Sequence, residues 1–133
     1  METIGNLKEL QFLNLKNCNQ LWCLPEQISE LEHMRALDIM HCLELRRLLR
    51  GISKLVSLER LEMLYNHISL HFVEDGNEER KYACLKDLKS LRRLRGFSVH
   101  IKSLVKEGVI GNWSKMRALF LLFGNDVNRD YLP

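Results

Sequence analysis

The sequence predicts an α/β solenoid of about five irregular turns, with short parallel strands along its concave face. The first observation is an apolar register that opens at Ile4 and returns at Ile28 and Ile52, two steps of 24 residues. The second is that the register is recovered at Leu88 and again at Ile110. The third is that apolar residues occupy every third position before a short alternating segment in each copy. One such turn cannot bury its apolar face alone, so neighbouring turns must stack into one elongated core.

The strand of each turn is predicted from the alternation of apolar and variable residues. Leu13 and Leu15 flank Asn14, and this arrangement returns 24 residues later. Alternate side chains then point inward, as a strand requires. With the cysteine or asparagine that follows, the pattern is L-x-x-L-x-L-x-x-N/C-x-L, the signature of a leucine-rich repeat. The predicted strand centres, side by side in this order, are Leu13, Leu37, Leu61, Phe97 and Leu119.

One domain is predicted for the whole chain. Its 133 residues, 46% hydrophobic and 28% charged, are typical of a single globular unit. Repeats start near residues 4, 28, 52, 88 and 110, and residues 67–84 form an irregular acidic insertion that we interpret as a solvated loop. The segments METIGN and GNDVNRDYLP look too short to be polar caps. We therefore expect a fragment without caps that self-associates through its ends.

The cysteines, at positions 18, 23, 42 and 84, are predicted to be reduced thiols because the first residues do not resemble a secretory signal. The same argument predicts a cytoplasmic or nuclear protein, and we expect the cytoplasm. Cys18 and Cys42 occupy the slot after the strand, where the chain bends and a small, nearly apolar side chain fits. We interpret both as core residues rather than as metal ligands or redox groups.

Signatures of catalysis and cofactor binding do not occur in the sequence. It contains no G-x-S-x-G, no glycine-rich phosphate loop and no H-E-x-x-H. We therefore expect a protein that is not an enzyme and has no cofactor. His67 and His71 lie four residues apart but within a segment rich in strand formers, so a metal site is not favoured.

Neither nucleic acid nor a membrane is an expected partner. The net charge is +3, and the basic clusters at residues 46–50 and 86–95 lack the interleaved aromatic residues that stack on bases. We interpret both clusters as solvated faces. Taken alone, residues 84–96 resemble a basic amphipathic helix that could lie on a membrane. The same leucine spacing precedes the other strands, however, so core lining is the preferred interpretation.

The side chains between the buried strand residues are predicted to face solvent on the concave side. Solvated strands usually carry polar residues there, whereas this sequence predicts an apolar stripe with a charged rim, as in a protein-binding surface. The predicted protein-binding residues are Phe12, Asn14, Lys16, Asp38, Met40, Arg60, Glu62, Leu64, Tyr65, His100, Phe120 and Leu122. In the fourth repeat the predicted register also places Gly96 and Ser98 on this face. Two alternatives stay open, namely that flanking segments cover the stripe or that the last two repeats have another register.

The stretch ELQFLNLKNCNQLWCLPEQISELEHMRALDIMHC resembles the leucine-rich region of plant intracellular nucleotide-binding immune receptors, in which L-x-x-C-x-x-L-x-x-L-P strings are typical. Residues 84–99, CLKDLKSLRRLRGFSV, are similar to the same family. The resemblance implies a region that senses a pathogen effector or a monitored host protein and helps to hold a receptor inactive. The ATP binding of the family is not carried over, because the chain contains no phosphate loop. The L-P-x-x-I element also occurs in cytoplasmic signalling scaffolds, so a scaffold and a purely structural segment are alternatives.

Overall fold

The computed structural model describes residues 2–46, 50–63, 85, 87–98 and 113–122. Its strands form one parallel sheet in the order β1-β2-β3-β4-β5. The strands are β1 (Phe12–Asn14), β2 (Ala36–Asp38), β3 (Arg60–Glu62), β4 (Arg93–Ser98) and β5 (Ala118–Leu122). Each turn therefore contributes one strand and pairs with the turn before it, which confirms the predicted parallel-stranded solenoid.

The described return segments are short 3₁₀ helices rather than α-helices. They are η1 (Glu2–Asn6), η2 (Glu26–Glu30) and η3 (Arg50–Lys54). The spacing of the leucines explains this choice, because a 3₁₀ helix has three residues per turn and places positions i and i+3 on one side. The Ile28 carbonyl accepts the Leu31 N–H at 3.1 Å, and the Leu31 carbonyl accepts the Met34 N–H at 3.0 Å. Three-residue turns thus direct each of these apolar side chains into the same core.

The register is confirmed for the first three strands and is wrong for the fourth. Leu13 pairs with Leu37, and Leu37 pairs with Leu61. Leu61 then pairs with Leu94 rather than with the predicted Phe97. Leu94 in turn pairs with Leu119 in β5. The centre of the fifth strand is therefore the predicted residue, whereas the centre of the fourth lies three residues before the predicted one.

The predicted register of the fourth strand is wrong because the leucines before β4 fit two frames equally well. Leu85, Leu88, Leu91 and Leu94 are all 0% exposed. In the fourth repeat they take the positions that Ile52, Leu55, Leu58 and Leu61 have in the third. The fourth repeat therefore begins near residue 85 rather than 88. A β-bulge between Arg95 and Phe97 then shifts the remaining pairing, and Phe97 pairs with Leu121.

The core runs along the solenoid as one cluster of stacked apolar side chains. In the second repeat Ile28, Leu31 and Leu37 are 0% exposed. Trp113 closes the fifth turn onto the fourth, because its buried indole N–H donates to the Leu85 carbonyl oxygen at 3.0 Å. That hydrogen bond satisfies the one polar atom of the indole ring.

The bend after each early strand explains the repeated cysteine. Asn17 and His41, 24 residues apart, both have positive φ angles, 67° and 59°. Cys42 follows this bend, is 0% exposed, and its thiol donates to the Leu15 carbonyl oxygen of the preceding turn at 2.9 Å. Burial raises the pKa of the Cys42 thiol, which keeps the donor protonated. The predicted core role is confirmed for Cys42, and Cys18 packs half-buried against the same cluster.

Gly51 lies in η3 where that helix contacts η2. A Cβ atom added at Gly51 would lie 2.6 Å from Ser29 Cβ. Ser29 is buried and its hydroxyl donates to the Glu26 carbonyl oxygen at 2.6 Å, so it cannot move away freely. Gly51→Ala is therefore expected to lower the free energy of unfolding by about 1–3 kcal/mol, measured by urea unfolding.

Gly5→Ala is the matched control for that substitution. The nearest atom to a Cβ at Gly5 is Glu30 Oε2 at 2.7 Å, the end of a flexible side chain that can rotate aside. We expect a cost below about 1 kcal/mol at this position. Equal losses for the two variants would show that the contact between η2 and η3 does not limit the packing of the turns.

Candidate protein-interaction surface

The solvent-facing side chains of the five strands lie in two parallel columns, which we call together the concave face. The first column follows the pairing Phe12, Ala36, Arg60, Arg93 and Ala118. The second follows Asn14, Asp38, Glu62, Arg95 and Phe120. Both columns alternate with the buried leucines, so the pleat of the strands alone decides which residues are presented.

Six of the predicted binding residues lie on the concave face: Phe12, Asn14, Asp38, Arg60, Glu62 and Phe120. Lys16 and Met40 lie in the turns that follow the first two strands. Leu122 ends the backbone of β5. Leu64, Tyr65 and His100 lie outside the described residues, as do His67 and His71.

Asn14 and Asp38 already have a local structural role at the ends of their strands. The Asn14 Oδ1 atom accepts the Lys16 N–H at 2.9 Å, and the Asp38 Oδ1 atom accepts the Met40 N–H at 3.0 Å. These side chains therefore stabilise the turn two residues further on. Each still presents polar atoms beside the apolar residues of the face.

The two exposed aromatic rings that the structure describes on the concave face lie at opposite ends of the sheet. Phe12 on β1 is 61% exposed and Phe120 on β5 is 48% exposed. Ala36 follows Phe12 in the first column, and Ala118 lies in the same strand as Phe120, so a small side chain leaves room beside each ring. Four strand spacings separate the rings, about 19 Å.

Arg93 and Arg95 lie opposite Arg60 and Glu62, the two positions that the sequence assigns to Gly96 and Ser98 in the fourth strand. The error follows directly from the three-residue displacement of β4, because every solvent-facing residue moves with the frame. The run of leucines from Leu85 fits the correct frame, but at three-residue spacing it fits the predicted frame as well. The sequence also interprets these arginines as an open solvated face, whereas their side chains are only 33% and 29% exposed.

Glu62 lies at the centre of the concave face and holds the arginines. It is 7% exposed. Its Oε1 atom lies 2.8 Å from Arg93 Nε and 3.9 Å from Arg60 Nη2, and its Oε2 atom lies 3.4 Å from Arg95 Nε. Arg60 and Arg93 are direct cross-strand neighbours. Like charges in that arrangement repel, so the Glu62 carboxylate between them offsets the repulsion.

This cluster leaves hydrogen-bonding capacity unused. Arg93 Nε and Glu62 Oε2 are buried and make no aligned hydrogen bond, although both lie at ion-pair distance from an opposite charge. In the part of the chain that the structure describes, three guanidinium groups share this one carboxylate, so these four side chains have a net positive charge. Phe120 covers part of it, with its ring centroid 5.5 Å from Arg93 Cζ and 4.9 Å from Arg95 Cζ, a cation–π arrangement.

A second charge ladder precedes the strands. Glu59 lies between Arg35 and Arg92, with its Oε2 atom 2.7 Å from Arg35 Nε and its Oε1 atom 3.4 Å from Arg92 Nε. The hydrogen bond from Arg35 lowers the pKa of the Glu59 carboxyl. Lys115 and His33 lie near this ladder along a shallow polar groove of about 300 Å³. The groove thus runs along one edge of the concave face.

Within residues that the structure describes, no group of three or more His, Cys, Asp or Glu side chains is arranged to hold a metal ion. In the same ranges no helix is long and apolar enough to cross a membrane. The described side chains of the concave face include two phenylalanine rings, arginine guanidinium groups and the carboxylates of Asp38 and Glu62. Groups of these kinds contribute to protein interfaces through contact and charge complementarity.

Comparison with solved structures identifies the fold. A leucine-rich-repeat protein of Leptospira interrogans superposes with a TM-score of 0.63 and 19% identity over 93% of this chain and 34% of its own. The plant peptide hormone receptor RGFR1, in complex with RGF2, gives a TM-score of 0.60 and 19% identity over 94% of this chain and 22% of its own. The fold is a leucine-rich-repeat solenoid.

The solenoid spans about a third of the first of these proteins and less than a quarter of the second. A plant ice-binding protein is also similar, with a TM-score of 0.50 and 16% identity over 77% of this chain and 38% of that protein. No protein-family model and no curated protein matches the sequence. At these identities the likeness extends to the fold, and the function has to be argued from the surface.

Proposed function

We propose that this leucine-rich-repeat solenoid is a non-enzymatic recognition module that binds a protein or peptide segment across its concave face. The observation that carries the proposal is the pair of exposed rings, Phe12 and Phe120, at the two ends of a charged strand surface. Aromatic anchors beside a polar, partly charged surface are the usual anatomy of a protein interface. An extended segment of about six residues has the length to contact both rings.

We further propose that the module acts in the cytoplasm as the sensing region of a plant immune receptor, where it binds an effector or a host protein and contributes to autoinhibition. The support for this finer role is the resemblance of residues 9–42 and 84–99 to that family. The plant receptor RGFR1, which has a similar fold, binds RGF2, and this supports a proteinaceous ligand for the present chain.

A purely structural segment of a longer polypeptide is the second candidate, and one observation favours it. The apolar residues of the first turn, Leu7 above all at 54%, are more exposed than their counterparts in the second turn. Leu31, the counterpart of Leu7, is 0% exposed. Such a row of side chains has the shape to receive a further turn of the same kind, whether from its own chain or from a second copy.

The binding proposal is tested by selecting peptides from a displayed random library against the immobilised solenoid. The best binder is then titrated against Phe12→Ser, Phe120→Ser and the control Trp22→Ser. Trp22 is 57% exposed but lies outside the strands, so its loss removes a comparable apolar surface elsewhere. We expect about tenfold weaker binding for each phenylalanine variant and little change for the control.

Two results of that titration would contradict the proposal. In the first, binders are lost with Trp22→Ser and retained with both phenylalanine variants, which places recognition outside the concave face. In the second, no displayed peptide binds the folded solenoid above background. Circular dichroism of each variant shows whether the solenoid is still folded.

A further inference from the structure

We infer that the β4–β5 half of the concave face binds an acidic peptide segment, whose carboxylates pair with Arg93 and Arg95 beside the Phe120 ring. The inference deepens the proposed function and rests on it, because it names the chemistry of the partner for the same face. Three observations support it: the cluster of charges around Glu62, the position of Phe120 and the distribution of charge along the sheet.

The first step is the charge balance of the cluster. Among the residues that the structure describes, Arg60, Arg93 and Arg95 all lie within 3.9 Å of one carboxylate, that of Glu62. One negative charge cannot neutralise three guanidinium groups, and the ion pairs of Arg93 and Arg95 with Glu62 are made by their Nε atoms rather than by their Nη groups. The arginines therefore have donors and positive charge available for a second anion.

The second step is that these arginines are held in place before a ligand arrives. Arg93 and Arg95 are about two-thirds buried, fixed on one side by Glu62 and covered on the other by Phe120. A pre-positioned planar guanidinium loses less side-chain entropy on binding than a free surface arginine. Its geometry matches that of a carboxylate, which can accept two parallel N–H donors.

The third step is the neighbouring strand. The described residues that lead into β5 include Lys115 and Arg117, both exposed, and no acidic side chain. These positive charges lie just before β5, whereas Asp38 lies on β2, on the other side of Glu62. A ligand with its acidic residues over β4 and β5 is oriented by this difference along the sheet.

The fourth step separates a peptide from nucleic acid. A bound single strand wants several aromatic rings for successive bases and a continuous basic groove. Among the side chains that the structure describes, Phe120 is the one exposed ring in this half of the face, and the carboxylate of Glu62 interrupts the basic surface. A peptide can place one or two carboxylates on the arginines and an apolar side chain against Phe120.

The test uses fluorescence anisotropy with a labelled peptide made of Glu-Gly-Leu repeats. A peptide with Gln in place of Glu is the neutral probe, and an oligothymidylate of similar length is the nucleic-acid probe. We expect the acidic peptide to bind at least about tenfold more tightly than the neutral one. We also expect its affinity to fall as salt is added.

The variants are Arg93→Gln and Arg95→Gln, each expected to weaken binding of the acidic peptide about tenfold. Arg46→Gln is the matched control, because Arg46 is exposed outside the strands and has only a loose ion pair with Glu44 at 3.8 Å. It removes the same charge from the molecule and is expected to leave binding unchanged. Arg95→Lys, which keeps the charge and loses the planar fork, is expected to restore part of the affinity.

Four outcomes would overturn the inference: no binding of the acidic peptide, equal binding of the neutral peptide, equal losses for Arg46→Gln and Arg95→Gln, or tighter binding of oligothymidylate with the same dependence on Arg93. Equal binding of the neutral peptide that still requires Phe12 and Phe120 would leave the proposed function intact. Loss of all concave-face binding in the display experiment would remove both. The two failures are therefore distinguishable.

Discussion

Leu37→Ala is expected to lower the free energy of unfolding by about 3 kcal/mol, the largest effect predicted for this solenoid. Leu37 is 0% exposed at the centre of β2, and β2 pairs with a strand on each side. Truncation removes the transfer free energy of the side chain and leaves a cavity that the flanking turns hold open. Urea unfolding followed by circular dichroism measures the loss.

Leu13→Ala is the matched control, because Leu13 fills the same slot of the first turn and is only partly buried. It packs against β2 on one side, so we expect a smaller loss of about 1 kcal/mol. A comparable loss at the two positions would mean that stacking on both sides does not determine the stability of a turn. The model of a core shared between neighbouring turns would then be wrong.

Glu62→Gln is expected to lower the free energy of unfolding by about 2 kcal/mol. The substitution keeps the size of the side chain and removes the only carboxylate within ion-pair distance of both Arg93 and Arg95 among the described residues. Arg60 and Arg93 then repel each other across the sheet without compensation. Added salt should recover part of the loss, and unfolding at low and high salt measures it.

Glu59→Gln is the control for that prediction. Glu59 also lies between two arginines, but it belongs to the more solvated ladder before the strands. Because Arg35 lowers the pKa of Glu59, its contribution is present above the ordinary carboxyl pKa and is lost as the pH falls. We expect a clearly smaller loss at neutral pH than for Glu62→Gln. The reverse order would show that burial does not set the strength of these ion pairs.

A second substitution separates repulsion from simple loss of contact. Adding Arg60→Gln to the Glu62→Gln variant removes one of the two opposed guanidinium groups, so the double variant should be more stable than Glu62→Gln alone. Arg60→Gln by itself should cost little, because its ion pair is the longest of the three at 3.9 Å and its side chain is 56% exposed. Additive losses would exclude the repulsion between Arg60 and Arg93 as the cause.

Stability and the proposed recognition depend on the same charges in this molecule. Glu62 offsets the repulsion between arginines that the parallel register brings together, and it also holds Arg93 and Arg95 in a fixed orientation. A partner carboxylate would add the negative charge that the cluster lacks. We therefore expect the acidic peptide to raise the midpoint of thermal unfolding, as any ligand that binds only the folded state does.

The repeat itself was predictable from the residues because its cause is local. An apolar side chain at every third position suits three-residue turns, and alternation suits a strand, so the positions of Leu13, Leu37 and Leu61 follow from short-range periodicity. The core role of the cysteine after the strand was also predictable. Few side chains are small and nearly apolar and can also donate a hydrogen bond to a bent backbone. Strand order followed as well, because each turn can bury its apolar face only against its neighbours.

The fourth strand was not predictable, and the reason is physical. A run of leucines at three-residue spacing is unchanged by a shift of three residues, so local pattern could not choose between Leu94 and Phe97 as the partner of Leu61. Leu94 is the partner of Leu61 because this register pairs β4 with both β3 and β5 and buries Leu85. It placed Arg93 and Arg95, rather than Gly96 and Ser98, opposite Arg60 and Glu62 on the concave face. Periodicity alone therefore determined that turns stack into this solenoid, whereas contact between strands decided which charges the surface presents.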